Sequence, residues 1–280
     1  MKRTWYKSGE ALLKEISETV PDNNELAVWY LGQCGFAVKS KDCTLLIDPV
    51  LSDLCRPDGT TRRQYPSPFA PEELRADLCL ITHGHRDHLA EDTIRGLCKA
   101  SPELTLIAPG ACREVLLSLG VKHFLTADDL RPIPEKGVSV LPFSAAHPTH
   151  LQTPEGEETA VGYRIKTAGL SLIHTGDTYL TDRLLNTLMT LSEPDVLFVP
   201  VNGADYFRTA RNCIGNLNPL EAARLSAMLR AGITIPMHFV MVEGNLADPV
   251  PFIRALWEEN PSARFSVPAL GERLLFRASE

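Results

Sequence analysis

The strongest functional signal in this chain is the stretch Thr82-His83-Gly84-His85-Arg86-Asp87-His88-Leu89. It places three imidazoles and a carboxylate within six residues, directly after an apolar segment that predicts a buried strand. His83 and His85 are two apart, so in an extended chain they point the same way. Asp87 and His88 follow where the chain turns toward a predicted helix. Because imidazole and carboxylate are the usual ligands of zinc and similar ions, the stretch predicts a metal site rather than a solvated loop.

Composition places the chain among globular proteins with a large core. Of its 280 residues, 44% are hydrophobic, which is enough for a single domain spanning residues 1–280. Residues 1–22 have an amphipathic pattern, which predicts a helical extension packed against the domain. They lack the apolar run of a signal peptide. The succession of strands and helices begins again after about residue 137, so we expect two similar halves that meet there.

Charge, hydropathy and cysteine usage restrict the partners and the compartment. The net charge of −7 argues against broad nucleic-acid binding, which favours a basic surface. No stretch approaches the roughly 18 apolar residues of a membrane span, so no membrane partner is expected. The cysteines are odd in number and form no CxxC, which predicts reduced core residues of a cytoplasmic protein, with a structural zinc site or a thiol nucleophile as alternatives. They are Cys34, Cys43, Cys55, Cys79, Cys98, Cys112 and Cys213.

Apolar segments and turn signals predict an α/β fold. Strand-like segments at Leu26–Val38 and Cys43–Asp48 precede the strand before the histidine stretch, and helices alternate with strands from there on. Since both halves begin with strands and continue with alternation, the economical architecture is two sheets packed face to face with helices outside.

One helix has clear boundary signals. Asn218 suits the N-cap, Pro219 the first helical position, and Glu221 a reciprocal contact back to the cap. Gly232 suits the position just after the C-terminus of the helix. The segment that follows predicts a short strand leading to a histidine.

Further potential ligands stand at the ends of later apolar runs. His147 and His150 follow one such run, and one of them is expected to be a ligand. His147 is favoured, and His150 is then expected to act as a lid or to bind substrate. Asp177 lies at a glycine turn, where each carboxylate oxygen could serve one cation, and a helix N-cap is its alternative role. His174 lies inside a strand, which favours a core position or support of a ligand from behind. His238 ends a short apolar strand and completes the set.

Arginines in two loops are candidates for binding an anionic substrate. Loop 202–212 contains Asn202, Arg208 and Arg211, and guanidinium groups bind phosphate or carboxylate through forked hydrogen bonds. Residues 62–63 are two more arginines with the same potential. A structural ion pair is the alternative for each of these arginines.

The ordered motifs HxHxDH, His, Asp and His resemble the metallo-β-lactamase superfamily over roughly residues 26–277. The resemblance implies a four-layer αβ/βα sandwich with two divalent metal ions at the sheet edges. It also implies one metal on His83, His85 and His147, a second on Asp87, His88 and His238, and Asp177 as the bridge between them.

Within that superfamily the chain looks most like the L-ascorbate-6-phosphate lactonase group. The segments at 28–35, 158–163, 173–179 and 235–238 are similar to its first strand pair, central region and C-terminal end. The chain departs from that group at His147, where the lactonase carries an aspartate. An additional imidazole favours zinc or a fully dinuclear site, whereas a carboxylate favours manganese.

Three carboxylates have distinct expected roles in the reaction that the resemblance implies. Metal ions would lower the pKa of a bound water and so supply hydroxide as the nucleophile. Asp87 is then expected to orient that water or accept its proton, and Asp177 to bridge the cations. Asp48 ends its strand beside the motif and is expected to accept a hydrogen bond from a ligand imidazole, which fixes the tautomer of that ring.

The favoured function is therefore a hydrolase of a lactone or related ester of a small anionic sugar derivative. The first alternative is a phosphodiesterase or RNA-processing nuclease of the same fold, against which the acidic net charge argues. A second alternative, from another class, is a metal-dependent binding protein without turnover. The resemblance also suggests a homo-oligomer.

Overall fold

The structure, a computed structural model, describes residues 4–54, 62–191 and 193–278. Cys55, predicted as a reduced core residue, lies outside the described residues. The strands are β1 Glu25–Gly32, β2 Gly35–Lys39, β3 Thr44–Ile47, β4 Leu78–Leu80, β5 Thr105–Ala108, β6 His123–Thr126, β7 Ile133–Glu135, β8 Val138–Ser144, β9 Val161–Thr167, β10 Leu170–His174, β11 Val196–Pro200, β12 Ile233–Met237 and β13 Arg273–Arg277. The helices are α1 Gly9–Glu18, α2 Glu91–Ala100, α3 Arg113–Ser118, α4 Asp182–Thr190, α5 Tyr206–Thr209, α6 Pro219–Met228 and α7 Val250–Glu259.

These strands form two mixed sheets of similar design. The first sheet has the order β13-β1-β2-β3-β4-β5-β6, antiparallel from β13 to β3 and parallel from β3 to β6. The second has the order β12-β11-β10-β9-β8-β7, parallel from β12 to β10 and antiparallel from β10 to β7. Each sheet therefore has one side of hairpins and one side of crossover connections, which require helices on the sheet faces.

Strand β1 explains why the sheets form layers. Successive side chains of a strand point to opposite faces, and β1 is apolar on both. Val28 and Tyr30 face the core between the sheets, where Phe36, Phe143 and Phe198 also pack. The alternate residues Ala27, Trp29 and Leu31 pack with apolar residues of α1, α2 and α3 on the outer face. The second sheet is covered by α4, α6 and α7 in the same way, which confirms the predicted α/β sandwich.

The strand-like segment Leu26–Val38 contains two strands, in agreement with the strand pair that the resemblance at 28–35 implies. The segment is a hairpin in which β1 and β2 pair antiparallel around a two-residue turn, Gln33-Cys34. Gly32 and Gln33 adopt φ values of 91° and 55°, a left-handed conformation that a continuous strand does not contain. The apolar alternation continues on both sides of the turn and does not itself mark its position.

Helix α6 begins as predicted and ends earlier than expected. Asn218 accepts hydrogen bonds from the backbone of residues 220 and 221, and Glu221 reaches back to the Asn218 backbone. The left-handed residue after the helix is Arg230, with φ 49°, rather than Gly232. Gly232 instead lies close to Asp195, where an added Cβ would stand 2.8 Å from a backbone oxygen.

The carboxyl ends of several strands meet at one edge of the sandwich. Strands β3 and β4 run parallel, as do β10 and β12 through β11, and β8 runs with β10 because both pair antiparallel with β9. The two sheets are joined at this edge by a bridge from His83 to Ala160 and by a hydrogen bond of 2.9 Å from Val161 N to Thr82 O. Residues that follow β3, β4, β8, β10 and β12 are thereby brought together.

Candidate metal centre

Three imidazoles from two sheets form a first ligand cluster. His83 Nε2 lies 2.9 Å from His85 Nδ1, and His147 Nε2 lies 3.1 Å from the same atom. Burial lowers the pKa of His83 well below its usual value and that of His147 to about 4. Both rings are therefore neutral near pH 7, which is the state that binds metal.

A second cluster combines carboxylates with imidazoles around Asp177. Its Oδ2 lies 2.9 Å from His238 Nε2, and its Oδ1 lies 3.4 Å from His88 Nε2. Asp87 Oδ2 lies 3.5 Å from His238 Nε2. The same Oδ2 of Asp177 is 3.9 Å from His147 Nε2, so this carboxylate stands between the two clusters.

The acidic and imidazole side chains of the second cluster stabilise one another's ionised states. Burial opposes ionisation of Asp177, but the charges of His238 and His88 outweigh it and hold its pKa well below the usual value. The same pairing, against the effect of burial, raises the pKa of His238 to about 9 and that of His88 well above its usual range. The pKa of Asp87 is lowered despite burial, because His238 donates to it and His88 attracts its charge.

The donor set fits divalent metal ions. The Nε2 atom of His88 is fully buried, points at Asp177 and has no hydrogen-bond partner among the described residues. A buried polar atom without a partner is costly unless a ligand satisfies it. The imidazole nitrogens and carboxylate oxygens in the two groups are atoms that zinc and manganese bind.

Asp48 lies behind the second cluster at the end of β3. Its Oδ2 lies 2.7 Å from His88 Nδ1 and accepts a hydrogen bond of 2.6 Å from Thr82 Oγ1, while Oδ1 accepts one of 2.7 Å from Thr82 N. The carboxylate therefore selects the tautomer of His88 that carries a hydrogen on Nδ1 and turns Nε2 toward Asp177.

Two residues at the site, Gln33 and Cys34 in the β1–β2 turn, are not among the site residues predicted from the sequence. Gln33 Nε2 donates to Asp87 Oδ2 at 2.7 Å and lies 3.2 Å from His238 Nε2. Cys34 Sγ lies 3.7 Å from Asp177 Oδ1. The available signal was the pair of glycines at 32 and 35, which enclose two residues as in a tight hairpin.

Comparison with known families agrees with this geometry. Residues 44–239 match the family described as the beta-lactamase superfamily domain, a match that covers both ligand clusters. The chain belongs to the metallo-β-lactamase superfamily. The fold expected from the ordered motifs is thereby confirmed.

Similar proteins of this superfamily include metal-dependent hydrolases. A UPF0173 metal-dependent hydrolase from Methanopyrus kandleri is 27% identical over 237 residues, 83% of this chain and 92% of the relative. One from Hyperthermus butylicus is 28% identical over 256 residues, 89% of this chain and 99% of the relative. The chain is an enzyme, a metal-dependent hydrolase of the metallo-β-lactamase fold, which sets aside the prediction of a binding protein without turnover.

Solved structures of the superfamily show the same fold. Igni18, a metallo hydrolase from Ignicoccus hospitalis, matches with a TM-score of 0.67 and 20% identity over 90% of this chain and 99% of its own. An isothiocyanate hydrolase from Delia radicum gut bacteria matches with a TM-score of 0.70 and 16% identity over 90% of this chain and 100% of its own. Within the described residues, every helix is too short or too polar to cross a lipid bilayer.

His174 and His150, two further histidines with predicted roles, lie next to the ligand clusters but do not belong to them. His174 is buried, donates from Nε2 to Cys34 O at 3.0 Å and accepts at Nδ1 from Gly176 N at 3.2 Å, so it holds two site loops together. His150 lies 2.9 Å from Ser144 Oγ and 2.8 Å from Thr181 Oγ1. Both nitrogens of His150 are thus engaged away from the clusters, and His147 is the histidine that the structure brings to them.

The arginines that were predicted to bind an anionic substrate fall into two groups, those that hold a loop in place and those that line a cleft. Arg208 donates to Asn245 Oδ1 and to the backbone oxygen of Asn202, each at 2.8 Å, and it pairs with Asp205. Asn202 is itself buried and donates to Asn245. The prediction that Arg208 and Asn202 face a substrate is therefore corrected, because both are committed to holding the loop. Arg63 is likewise buried and donates to backbone oxygens.

A cleft of about 260 Å³ opens onto the ligand clusters. Three arginines line it together with the predicted ligands His85, Asp87, Asp177 and His238. The three arginines are Arg62, Arg86 and Arg211. Among the described residues, none of the three is paired with a carboxylate. The cleft therefore places three cationic side chains beside the predicted metal ligands.

Proposed function

We propose that this hydrolase binds two divalent metal ions and acts on a small anionic substrate, with a lactone of a sugar phosphate as the favoured class. The first ion is assigned to His83, His85 and His147, and the second to the cluster of His88 and His238 with Asp87 and Asp177. The observation that carries the proposal is the cleft at this centre, which is small and lined by three arginines that pair with no carboxylate among the described residues.

The cleft suits a small ligand with a phosphate or carboxylate group. A volume of about 260 Å³ is at the lower end of small-molecule sites and is too small for a structured polymer. Guanidinium groups bind oxyanions through two parallel hydrogen bonds, and each such charged bond contributes about 1.5–3 kcal/mol. Arg211 and Arg62 lie on different loops, so together they would orient one anionic group over the clusters.

The residues of the chain have separate tasks in this scheme. Bound divalent metal supplies Lewis acidity and water of lowered pKa. Asp87, fixed by the hydrogen bond from Gln33, is a weak base because its pKa is lowered, so we assign it to orienting the attacking water. Asp177 spans both clusters and would hold the ions at a constant separation.

The test is hydrolysis of L-ascorbate 6-phosphate beside a bis-aryl phosphodiester by zinc-loaded and manganese-loaded protein. Lactone opening supports the proposal. Cleavage of the phosphodiester alone would replace it with the second candidate, a phosphodiesterase. That candidate is favoured by His147, since an all-imidazole first cluster departs from the carboxylate of the lactonase group.

The arginine assignment is tested separately. Arg211→Ala should raise KM about tenfold to a hundredfold for a phosphorylated substrate and much less for its unphosphorylated analogue, because one charged hydrogen-bond pair is lost. Arg224→Ala is the matched control, since Arg224 is exposed and pairs with Glu259 outside the cleft. Equal KM changes for both substrates would remove the role of Arg211 in anion binding.

A further inference from the structure

The hairpin turn brings a cysteine into the second ligand cluster. Cys34 is fully buried, and its Sγ lies 3.7 Å from Asp177 Oδ1. One potential ligand atom from each of Cys34, His88, Asp177 and His238 lies within 4.8 Å of the others. The other described cysteines are absent from the two clusters, so among the described residues Cys34 is the one cysteine whose thiol lies beside the predicted ligands.

Two separations in this group, both to Asp177 Oδ1, are close to the edge of a tetrahedral site, and the four ligand atoms lie within 4.8 Å of one another. Zinc bonds of about 2.0–2.1 Å to nitrogen or oxygen and about 2.3 Å to sulfur place neighbouring ligand atoms about 3.3–3.6 Å apart. The Cys34 Sγ to Asp177 Oδ1 separation is 3.7 Å and the His88 Nε2 to Asp177 Oδ1 separation is 3.4 Å. The shorter contact, 2.9 Å between His238 and Asp177, is a direct hydrogen bond whose proton a cation would displace.

A second observation points to a ligand at the same place. His88 Nε2 is fully buried, aims into this group and has no hydrogen-bond partner among the described residues. Asp48 holds the ring in that orientation through Nδ1. An unsatisfied nitrogen facing a buried thiol and a buried carboxylate is the arrangement that a metal ion satisfies.

The backbone of the turn that carries Cys34 is closely packed. An added Cβ on Gly35 would stand 2.9 Å from the backbone oxygen of Gly32 and 3.1 Å from that of Asp48, so the backbones are closely packed. The backbone oxygen of Cys34 accepts a hydrogen bond from His174. The backbone that carries the thiol is therefore held by the fold on both sides of the turn.

We propose that Cys34 is a thiolate ligand of the second metal ion, in a set with His88, His238 and Asp177. This inference rests on the dinuclear centre proposed above. As the metal–sulfur bond forms, the thiol proton leaves to water and no electron is transferred. Thiolate is a soft ligand, so the second position selects zinc, cobalt or iron(II) over manganese. In this set Cys34 takes the position at the second ion that was assigned above to Asp87, and Asp87, held by Gln33, keeps only the task of orienting water beside the ion.

The experiment uses the full chain loaded with two equivalents of Co²⁺. A cobalt–thiolate bond gives a charge-transfer band in the near ultraviolet, which imidazole and carboxylate ligands do not produce. We expect the band in the wild-type protein and its loss in Cys34→Ser. Two controls are expected to keep it, Cys112→Ser, which removes a buried thiol outside the cluster, and Cys213→Ser, which removes a thiol at the cleft.

Metal content and zinc X-ray absorption complete the test. A sulfur neighbour at about 2.3 Å from zinc in the wild type, absent in Cys34→Ser, supports the proposal. Two bound ions without the charge-transfer band, or a band retained in Cys34→Ser, would overturn the thiolate and leave the dinuclear centre intact. Failure of the wild type to bind two ions would overturn both. Because the wild-type spectrum decides the main point, misfolding of a variant does not obscure the result.

Discussion

The two ligand clusters share one edge of the sandwich but are stabilised by different means. The first consists of imidazoles, which burial keeps neutral, with the pKa of His147 lowered to about 4. The second is a network of opposite charges, in which Asp177 faces His238, whose pKa is raised to about 9 against the effect of burial. One cluster therefore depends on geometry alone, and the other on charge balance.

This difference shows two ways in which a protein can preform the positions of the proposed dinuclear centre. In the second cluster, the protons on His88 and His238 take the place of a cation and compensate two carboxylates, the buried Asp177 and the partly buried Asp87. In the first cluster there is no charge to compensate, so neutral rings can be held 2.9–3.1 Å apart by the backbone. The two positions should accordingly differ in proton release, pH dependence and sensitivity to mutation.

The largest effect is expected for Asp177→Asn, which removes the carboxylate between the clusters. The bound metal should fall from two equivalents to one, and kcat/KM should fall roughly a thousandfold, or about 4 kcal/mol of transition-state stabilisation. Metal analysis and steady-state kinetics check this. Asp182→Asn, an exposed change in the first turn of α4, is the control. Unchanged metal content and rate would show that Asp177 does not bridge.

Asp48→Asn should separate the two clusters. Loss of the carboxylate that fixes His88 should weaken metal binding at the second cluster by about 10–100-fold. Binding at the first cluster should be nearly unchanged, since Asp48 forms no hydrogen bond with its histidines. Competition with a chelator measures both affinities. A similar loss at both clusters would contradict the separation.

The pH dependence should distinguish the clusters in the wild type. Below pH 9 His238 carries a proton that the metal must displace, so affinity at the second cluster should rise about tenfold per pH unit for each proton released. His147 is already neutral above about pH 4, so affinity at the first cluster should be flat from pH 6 to 8. Calorimetry in buffers of different ionisation enthalpy counts the released protons. Equal proton release at both would refute the contrast.

The smallest effect is expected for His150→Gln, which loosens the loop that carries His147. His150 bonds Ser144 and Thr181, and Ser144 donates to the buried Glu158 at 2.7 Å. Breaking these bonds should lower the free energy of unfolding by about 1–3 kcal/mol and change kcat/KM only a few-fold.

Urea unfolding with and without metal measures that loss. His123→Gln is the matched control, since His123 is half-exposed and pairs with Glu103 at the surface. A complete loss of activity in His150→Gln would instead assign that residue to the reaction.

Local pattern was sufficient to predict the part of the site that lies close together in sequence. The stretch from His83 to His88 has ligand spacing, and each later ligand follows an apolar run, so the sandwich and its metal edge could be predicted. The contacts of the hairpin turn could not. Gln33 meets Asp87 across 54 positions and Cys34 meets Asp177 across 143, and no local pattern records such pairs.

The same limit explains the corrected arginine. Arg208 and Arg211 are equivalent as sequence, but Arg208 finds Asn245, which is 37 positions away and reaches it only through the tertiary fold. Similarly, His147 and His150 are both plausible ligands until the loop conformation turns the second toward Thr181. Residue type was predictable in these cases, and orientation was not.

The pairing of β1 with β13 has a consequence for the order of folding. Glu25 lies opposite Arg277, so the strand that carries the Gln33-Cys34 turn gains its outer neighbour only after almost the whole chain has been synthesised. Pairing between such distant segments is slow, and until then β1 exposes a free apolar edge that is prone to aggregation. We therefore expect the second cluster to be completed late in refolding. Rapid protection of the β1 amides in pulsed hydrogen exchange would contradict this order.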